Sequence, residues 1–379
     1  MNKLSVYNPF VVGHYVSDEY FCDRRQETDF LRKQIVNGRN VVMISPRRIG
    51  KSDLIHHFFH QEDIKAHYYT FFVDIYATSS LAELAYLLGK SIFLSLKPRP
   101  RKWMEHFFQV MKSLRVGFTL DSMSGDPSFN LQVGDIASPE VTLHEIFDYL
   151  TQADRHCIVA IDEFQQIAEY QEKNVEAVLR TYVQQCPNAN FIYAGSKRDV
   201  MSLMFHTASR PFYESAITMS LDPIPEETYV AFASRLFQRD GRTIDAEVVQ
   251  KVYDDYEGCT WFVQMIMNEL FAMTPPAHHC APDLLPTAQD NIIQAQRVGY
   301  QETLMALSAK QRRLLIAIAR ERRADGVTSS AFIKKYSLSS ASSVQSALRP
   351  LVESGLVTCG NNQYRVYDYF LAEWIRMSC

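Results

Sequence analysis

The stretch Val41-Val42-Met43-Ile44-Ser45-Pro46-Arg47-Arg48-Ile49-Gly50-Lys51-Ser52 decides the fold. Four apolar residues run into a short loop that ends Gly-Lys-Ser. A helical pattern follows, with Leu54, Ile55, Phe58 and Phe59 on one face. Strand, loop and helix in that order make an anion site. Successive backbone N–H groups of the loop and of the first helical turn point to one place, and the helix dipole favours negative charge there. Lys51 suits the β- and γ-phosphates of a nucleotide, and the Ser52 hydroxyl suits Mg²⁺. The usual pattern is Gly-x-x-x-x-Gly-Lys-Ser/Thr, and Ser45 stands at its first glycine. The candidate nucleotide-binding set is Ser45, Pro46, Arg47, Arg48, Ile49, Gly50, Lys51 and Ser52.

The chain around this loop is long enough for several domains. Its 379 residues are 47% hydrophobic and 22% charged, as in water-soluble globular proteins. No apolar run reaches the ~20 residues a membrane helix needs, and no signal peptide is read at the N-terminus, so a cytoplasmic location is expected. The net charge of −4 exerts no global pull toward nucleic acid. From residue 301 onward, however, 11 Lys/Arg stand against 6 Asp/Glu. The seven cysteines form no C-x-x-C pair and read as reduced thiols.

The pattern downstream of the loop alternates between strands and helices. Strands are expected at 67–75, 157–161, 190–194 and 217–221. A helix with Phe30, Leu31, Ile35 and Val36 at helical spacing is expected to end at Asn37-Gly38, and further helices are expected near 81–96, 103–114, 141–152 and 173–185. Alternating residues at 116–120 and 129–133 suggest a hairpin. This order implies βαβ units and a three-layer α/β domain. After Asp222-Pro223-Ile224-Pro225 the pattern turns helical. From about residue 300, helices at 311–320, 328–336 and 339–353 precede a strand-turn-strand wing at 356–366, a winged helix-turn-helix arrangement. The expected domains are therefore 1–222, 223–299 and 300–379.

The second half of the site is expected at Asp162-Glu163. An apolar strand, Cys157–Ile161, delivers both acids at its C-terminal end, where open α/β sheets bind ligands. Asp162 is the Mg²⁺ candidate beside Ser52, and Glu163 is the general base for an attacking water. Ser196, after a further strand, is a candidate sensor of the γ-phosphate or a helix cap. Arg198 and Arg210, near that strand, are the candidates for an arginine finger that stabilises charge on the γ-phosphoryl group, or are ordinary surface arginines. Asp74 either faces the site or makes a turn. His56 and His60, four apart, lack a third metal ligand and read as packing or solvated residues.

Taken together, several segments resemble the archaeal-type ATPases, AAA+-like P-loop ATPases of the signal-transducing STAND class that also occur in bacteria. They are Asn8-Pro9-Phe10, Phe21-x-Asp23-Arg24-x-x-Glu27, Pro46-Arg47-Arg48-x-Gly50-Lys51-Ser52, Ile161-Asp162-Glu163-Phe164-Gln165, Gly195-Ser196 and Tyr256–Gln264. Leu307-Ser308, Ser342–Leu348 and Tyr367–Trp374 extend the resemblance to the end of the chain. It implies a parallel sheet of order 5-1-4-3-2, a helical lid and a C-terminal winged helix. It also implies that Phe21–Arg24 lies near the adenine. Three positions depart from the family pattern. Ser45 replaces a glycine, Thr260 stands where proline is usual, and Arg210–Ser215 lacks the arginine of the family's Pro-Leu-Tyr-Gly-Arg.

The expected function is thus an ATP- and Mg²⁺-dependent molecular switch with slow hydrolysis. The winged helix is its output, toward double-stranded DNA or a protein partner, and a homo-oligomer is a further candidate partner. The alternative is a DNA-binding regulator or docking scaffold in which ATP is only a structural ligand.

Overall fold

Side chains alternate across the central strands, and both faces of the sheet are buried. In β1 (Val41–Ile44), Val42 and Ile44 join one apolar cluster, Val41 and Met43 the other. In β3 (His156–Asp162), Cys157, Val159 and Ile161 face one way, Ile158 and Ala160 the other. In β4 (Ala189–Gly195), Phe191 and Tyr193 oppose Ile192 and Ala194. A strand buried on both faces needs helices on both sides, which is why these apolar runs are nearly continuous. The computed structural model describes residues 8–96, 109–113, 118–120, 127–129, 136, 138–360 and 362–378.

With β2 (Tyr68–Asp74) and β5 (Ile217–Met219), the strands form a parallel five-stranded sheet of order β2-β3-β4-β1-β5. Read from the other edge this is 5-1-4-3-2, as the family resemblance implied. Helices α1 (Arg25–Val36), α2 (Lys51–His60) and α3 (Glu62–His67) contribute to one cluster. Helices α4 (Leu81–Leu96), α5 (Pro139–Gln152), α6 (Val175–Gln184) and α7 (Arg198–His206) contribute to the other. Val36 does not belong to the inner face of α1. It is 66% exposed in the last turn, while Thr28, Leu31, Gln34 and Ile35 are buried.

Most of the expected helix 103–114 lies outside the described residues, as do Val116, Leu131 and Val133. Phe118–Leu120 pairs antiparallel with Pro127–Phe129, the ladder of a hairpin.

Contacts divide the chain into two units, Gly13–Ile224 and a second that joins the described residues up to Val12 with those from Pro225 onward. In the second unit, helices α8 (Glu226–Arg239), α9 (Ala246–Asp255), α10 (Thr260–Met273) and α11 (Leu284–Ala306) build a helical body. Phe10, fully buried, is clasped by Phe232, Phe237 and Phe271. Asn8 Nδ2 donates to the Asn268 carbonyl at 2.8 Å, and Asn268 Nδ2 donates to the Phe10 carbonyl at 2.7 Å. Thr260 is the first residue of α10, where proline is favoured because the N–H has no partner within the helix. A non-proline residue there leaves the helix intact.

The winged helix follows. Helix α12 (Ala309–Glu321) starts with a capping box of Ser308 and Gln311, and α13 (Ser330–Lys335) is capped by Ser329. Helix α14 (Ala341–Glu353) is capped by Ser340. The wing has three strands, because β6 (Ala324–Asp325) adds to β8 (Gln363–Val366), which pairs with β7 (Val357–Gly360). Helix α15 (Tyr369–Ser378) closes the chain.

Glu257, at the turn between α9 and α10, ties the helical body to the wing. It accepts from Arg323 Nη2 at 2.5 Å and from Arg365 Nη1. Burial raises its carboxyl pKa, but the two guanidinium groups more than offset this and hold it below the ordinary value of 4.5. A lowered carboxyl contributes stability that is complete above its unfolded value and lost as pH falls through the folded one. We expect Glu257→Gln to lower stability at neutral pH by about 1 kcal/mol, the upper range for partly exposed pairs. The melting-temperature gap to wild type should narrow as pH falls below the carboxylate range.

Candidate nucleotide site at the carboxyl ends of the central strands

The sheet order explains how residues far apart in sequence meet. The loop leaves β1, the acid pair leaves β3, and Ser196 leaves β4, the strand between them. Register pairs Ile44 with Gly195 and Ile161 with Tyr193, so all three segments emerge at one edge of the sheet.

The loop turns through Arg48, at φ 63°, and Gly50, at φ 95°. Both are left-handed, a conformation that suits Gly50 and is uncommon for a residue with a Cβ. Gly50 caps α2 and sets its first turn against the loop. Lys51 is 6% exposed, and its ammonium donates to the carbonyls of Ser45 at 2.9 Å and Pro46 at 2.8 Å. It therefore sits over the loop mouth.

Ser45 has a role beyond replacing a glycine. Its Oγ accepts the N–H of buried Leu221 at 2.6 Å, and its own N–H donates to the Gly195 carbonyl at 3.3 Å. The hydroxyl anchors the loop to the chain leaving β5. Restoring the usual pattern with Ser45→Gly would leave a buried N–H without an acceptor. We expect it to destabilise the chain by about 1–3 kcal/mol, measured by denaturant unfolding.

Arg24 braces the same loop from outside. It is 4% exposed and donates to the carbonyls of Ile49 at 3.2 Å and Asp222 at 2.7 Å and to Glu27 at 2.7 Å. Nearby, the Phe21 ring stacks on His57 at 4.3 Å. Neither contact is readable from local sequence.

Ser52 Oγ donates to Asp162 Oδ2, bringing the two expected metal ligands into direct contact. Burial pushes the Asp162 carboxyl up, the Ser52 hydrogen bond opposes this, and neighbouring Glu163 adds to it. A buried carboxylate beside a hydroxyl is an oxygen donor set suited to a hard divalent cation, whose charge would favour the ionised form.

Glu163 adopts a left-handed conformation, φ 55°, and its N–H donates to Asp162 Oδ1 at 2.9 Å. Its carboxylate accepts from Ser196 Oγ at 2.9 Å and from Gln165 Nε2. Ser196 Oγ in turn accepts from Arg47 Nε at 3.2 Å. Loop, sensor position and acid pair form one hydrogen-bonded chain. Ser196 does not cap α7: the helix starts at Arg198 after Lys197, without a side-chain cap.

Other candidates lie apart from this chain. Arg210 pairs with Glu176 of α6, and Phe212 is fully buried against Phe164, Tyr193 and Phe205. The segment 210–215 thus serves packing. Arg198 is exposed at the start of α7. Asp74 is exposed and accepts from the Tyr76 N–H at 2.8 Å, the turn alternative. Among the described residues no group of three or more His, Cys, Asp or Glu is arranged to hold a metal ion. No described helix is long and apolar enough to cross a membrane.

Comparison with known proteins agrees with this architecture. A family model described as "Probable winged helix domain" matches residues 298–377. A comparison with curated proteins found no match. Among solved structures, the chain is similar to a Walker-type ATPase of Pyrococcus abyssi, with a TM-score of 0.67 and 17% identity over 97% of this chain and 99% of that one. It is similar to the ORC2 protein of Aeropyrum pernix, solved with ADPNP and ADP, with a TM-score of 0.61 and 15% identity over 97% and 96%. The ORC1 protein of the same organism, solved in complex with DNA, gives 0.51 and 10% over 94% and 93%. The chain has a P-loop ATPase fold like that of these structures, with a winged helix domain toward its end.

Proposed function

We propose that the chain is a nucleotide-dependent switch that binds ATP with Mg²⁺ at the Ser45–Ser52 loop and hydrolyses it slowly. The observation that carries this reading is the convergence of Lys51, Ser52, Asp162 and Glu163 at one edge of the sheet, linked through Ser196 and Arg47. Loop N–H groups and Lys51 bind the phosphates. Ser52 and Asp162 hold the cation, which when bound neutralises charge on the phosphate oxygens. Glu163 orients a water and takes its proton, and Ser196 senses the γ-phosphate. Slow turnover is inferred because Arg210 is engaged with Glu176 and no other arginine of segment 210–215 replaces it. The finer assignment to the signal-transducing class rests on the sequence motifs. Steady-state phosphate release by the purified chain, with and without Mg²⁺, tests the reading; no release above the Lys51→Ala background would end it.

The winged helix is the output module of this reading. Double-stranded DNA is the first partner to test, since ORC1 of A. pernix was solved with DNA. A protein partner is favoured by the charge arrangement. Lys335 is paired with Glu321 at 2.6 Å and Arg349 with Glu353 at 2.7 Å, so two of the basic side chains of this domain already face a carboxylate. We expect Lys334, Lys335 and Arg349, all changed to Ala, to lower the slope of log Kobs against log salt by no more than about one. A drop near three, measured by duplex binding across salt concentrations, would restore the DNA-reading surface.

A further inference from the structure

Gln165 lies two residues beyond Glu163, in the short 3-10 helix Phe164–Glu169, and its side chain turns inward to 2% exposure. Its amide nitrogen donates to Glu163 Oε2, and its amide oxygen accepts the N–H of Ser196 at 3.3 Å. The orientation is dictated by the partners, because a flipped amide would set acceptor against acceptor and donor against donor. Glu163 Oε2 also receives Ser196 Oγ at 2.9 Å. Two donors therefore converge on one oxygen, and among the described residues no donor reaches Oε1. The backbone of Gly195 makes room for this arrangement. A Cβ there would lie 2.5 Å from Gln165 Oε1 and 2.5 Å from Met201 Sδ. A buried side chain with both amide ends engaged, one on the base and one on the sensor segment, does more than fill space.

We propose that Gln165 is a positioning residue for Glu163. With Ser196 it fixes the carboxylate through Oε2 and leaves Oε1 to take the proton of the attacking water. The inference rests on the ATPase reading and deepens it. Gly195 is its structural counterpart, since any side chain there would displace the amide.

The test uses the full chain with Gln165→Met, which keeps the length and loses both hydrogen bonds, and the isosteric Gln165→Glu, which sets a second carboxylate against the base. For both, turnover should fall about tenfold or more while the Kd for a fluorescent ATP analogue stays within about twofold. In a Glu163→Gln background, Gln165→Met should change the residual rate by less than about twofold, because residues acting as a unit are not additive. Full turnover in either folded single variant overturns the proposal. So does an equal fall in both backgrounds, which marks a general structural role. A wild-type chain that binds ATP without hydrolysing it overturns the ATPase reading and this inference together. A wild type that hydrolyses alongside fully active Gln165 variants overturns this inference alone.

Discussion

Glu163→Gln is expected to bind ATP as wild type does and to lose hydrolysis by a factor of about 10²–10⁴, the usual contribution of a positioned general base. The amide matches the carboxylate in shape and keeps an oxygen to accept from Ser196 Oγ, which now reaches Glu163 Oε2 at 2.9 Å. What is lost is the ability to take a proton from water. Binding is spared because the proposed phosphate contacts belong to the loop and Lys51, and the proposed metal contacts to Ser52 and Asp162. Phosphate release at saturating ATP, with the Kd measured separately, checks both halves. Hydrolysis at the wild-type rate would assign the base elsewhere.

Lys51→Ala is expected to act on binding itself. The Lys51 ammonium is nearly enclosed, held by the carbonyls of Ser45 and Pro46. In a bound complex the same charge would meet phosphate oxygens through charge-assisted hydrogen bonds, at about 1.5–3 kcal/mol each. Losing two of them weakens ATP by at least about 100-fold. Asp162 would feel the change too, because the Lys51 charge helps to hold its carboxyl down against burial. The two variants therefore separate cleanly: Glu163→Gln lowers turnover with Kd unchanged, Lys51→Ala raises Kd.

Much of this architecture is legible in the sequence because it is local. Runs such as Cys157–Ile161 announce strands buried on both faces, and Gly50-Lys51-Ser52 after Val41–Ile44 announces the loop. The winged helix follows from three helical patterns ahead of a strand-turn-strand, and the sheet order from motif resemblance. What local pattern does not carry is contact across long separations. Ser45 reads as a tolerated substitute for glycine until Leu221 is seen to donate to its hydroxyl, 176 residues away. Arg24 reads as part of a motif, and only the folded chain shows it bridging Ile49 and Asp222. Phe10 precedes the α/β unit in sequence, yet its packing partners are Phe232, Phe237 and Phe271. Gln165 enters the sequence reading only as the end of the Ile161–Gln165 motif, with no role attached. Its signal was the glycine at 195, which matters only once β3 and β4 are known to be neighbours. Val36 misled for the opposite reason: helical spacing set it with Leu31 and Ile35, but it falls on the solvent side of the last turn of α1.

The central claim is that the Ser45–Ser52 loop binds a magnesium nucleotide. Calorimetric titration of the full chain with ATP, with and without Mg²⁺, beside the Lys51→Ala variant, tests it most directly. The account predicts saturable one-to-one binding by wild type, weakened without Mg²⁺ and lost in the variant. No binding by wild type, or equal affinity in wild type and Lys51→Ala, would contradict it.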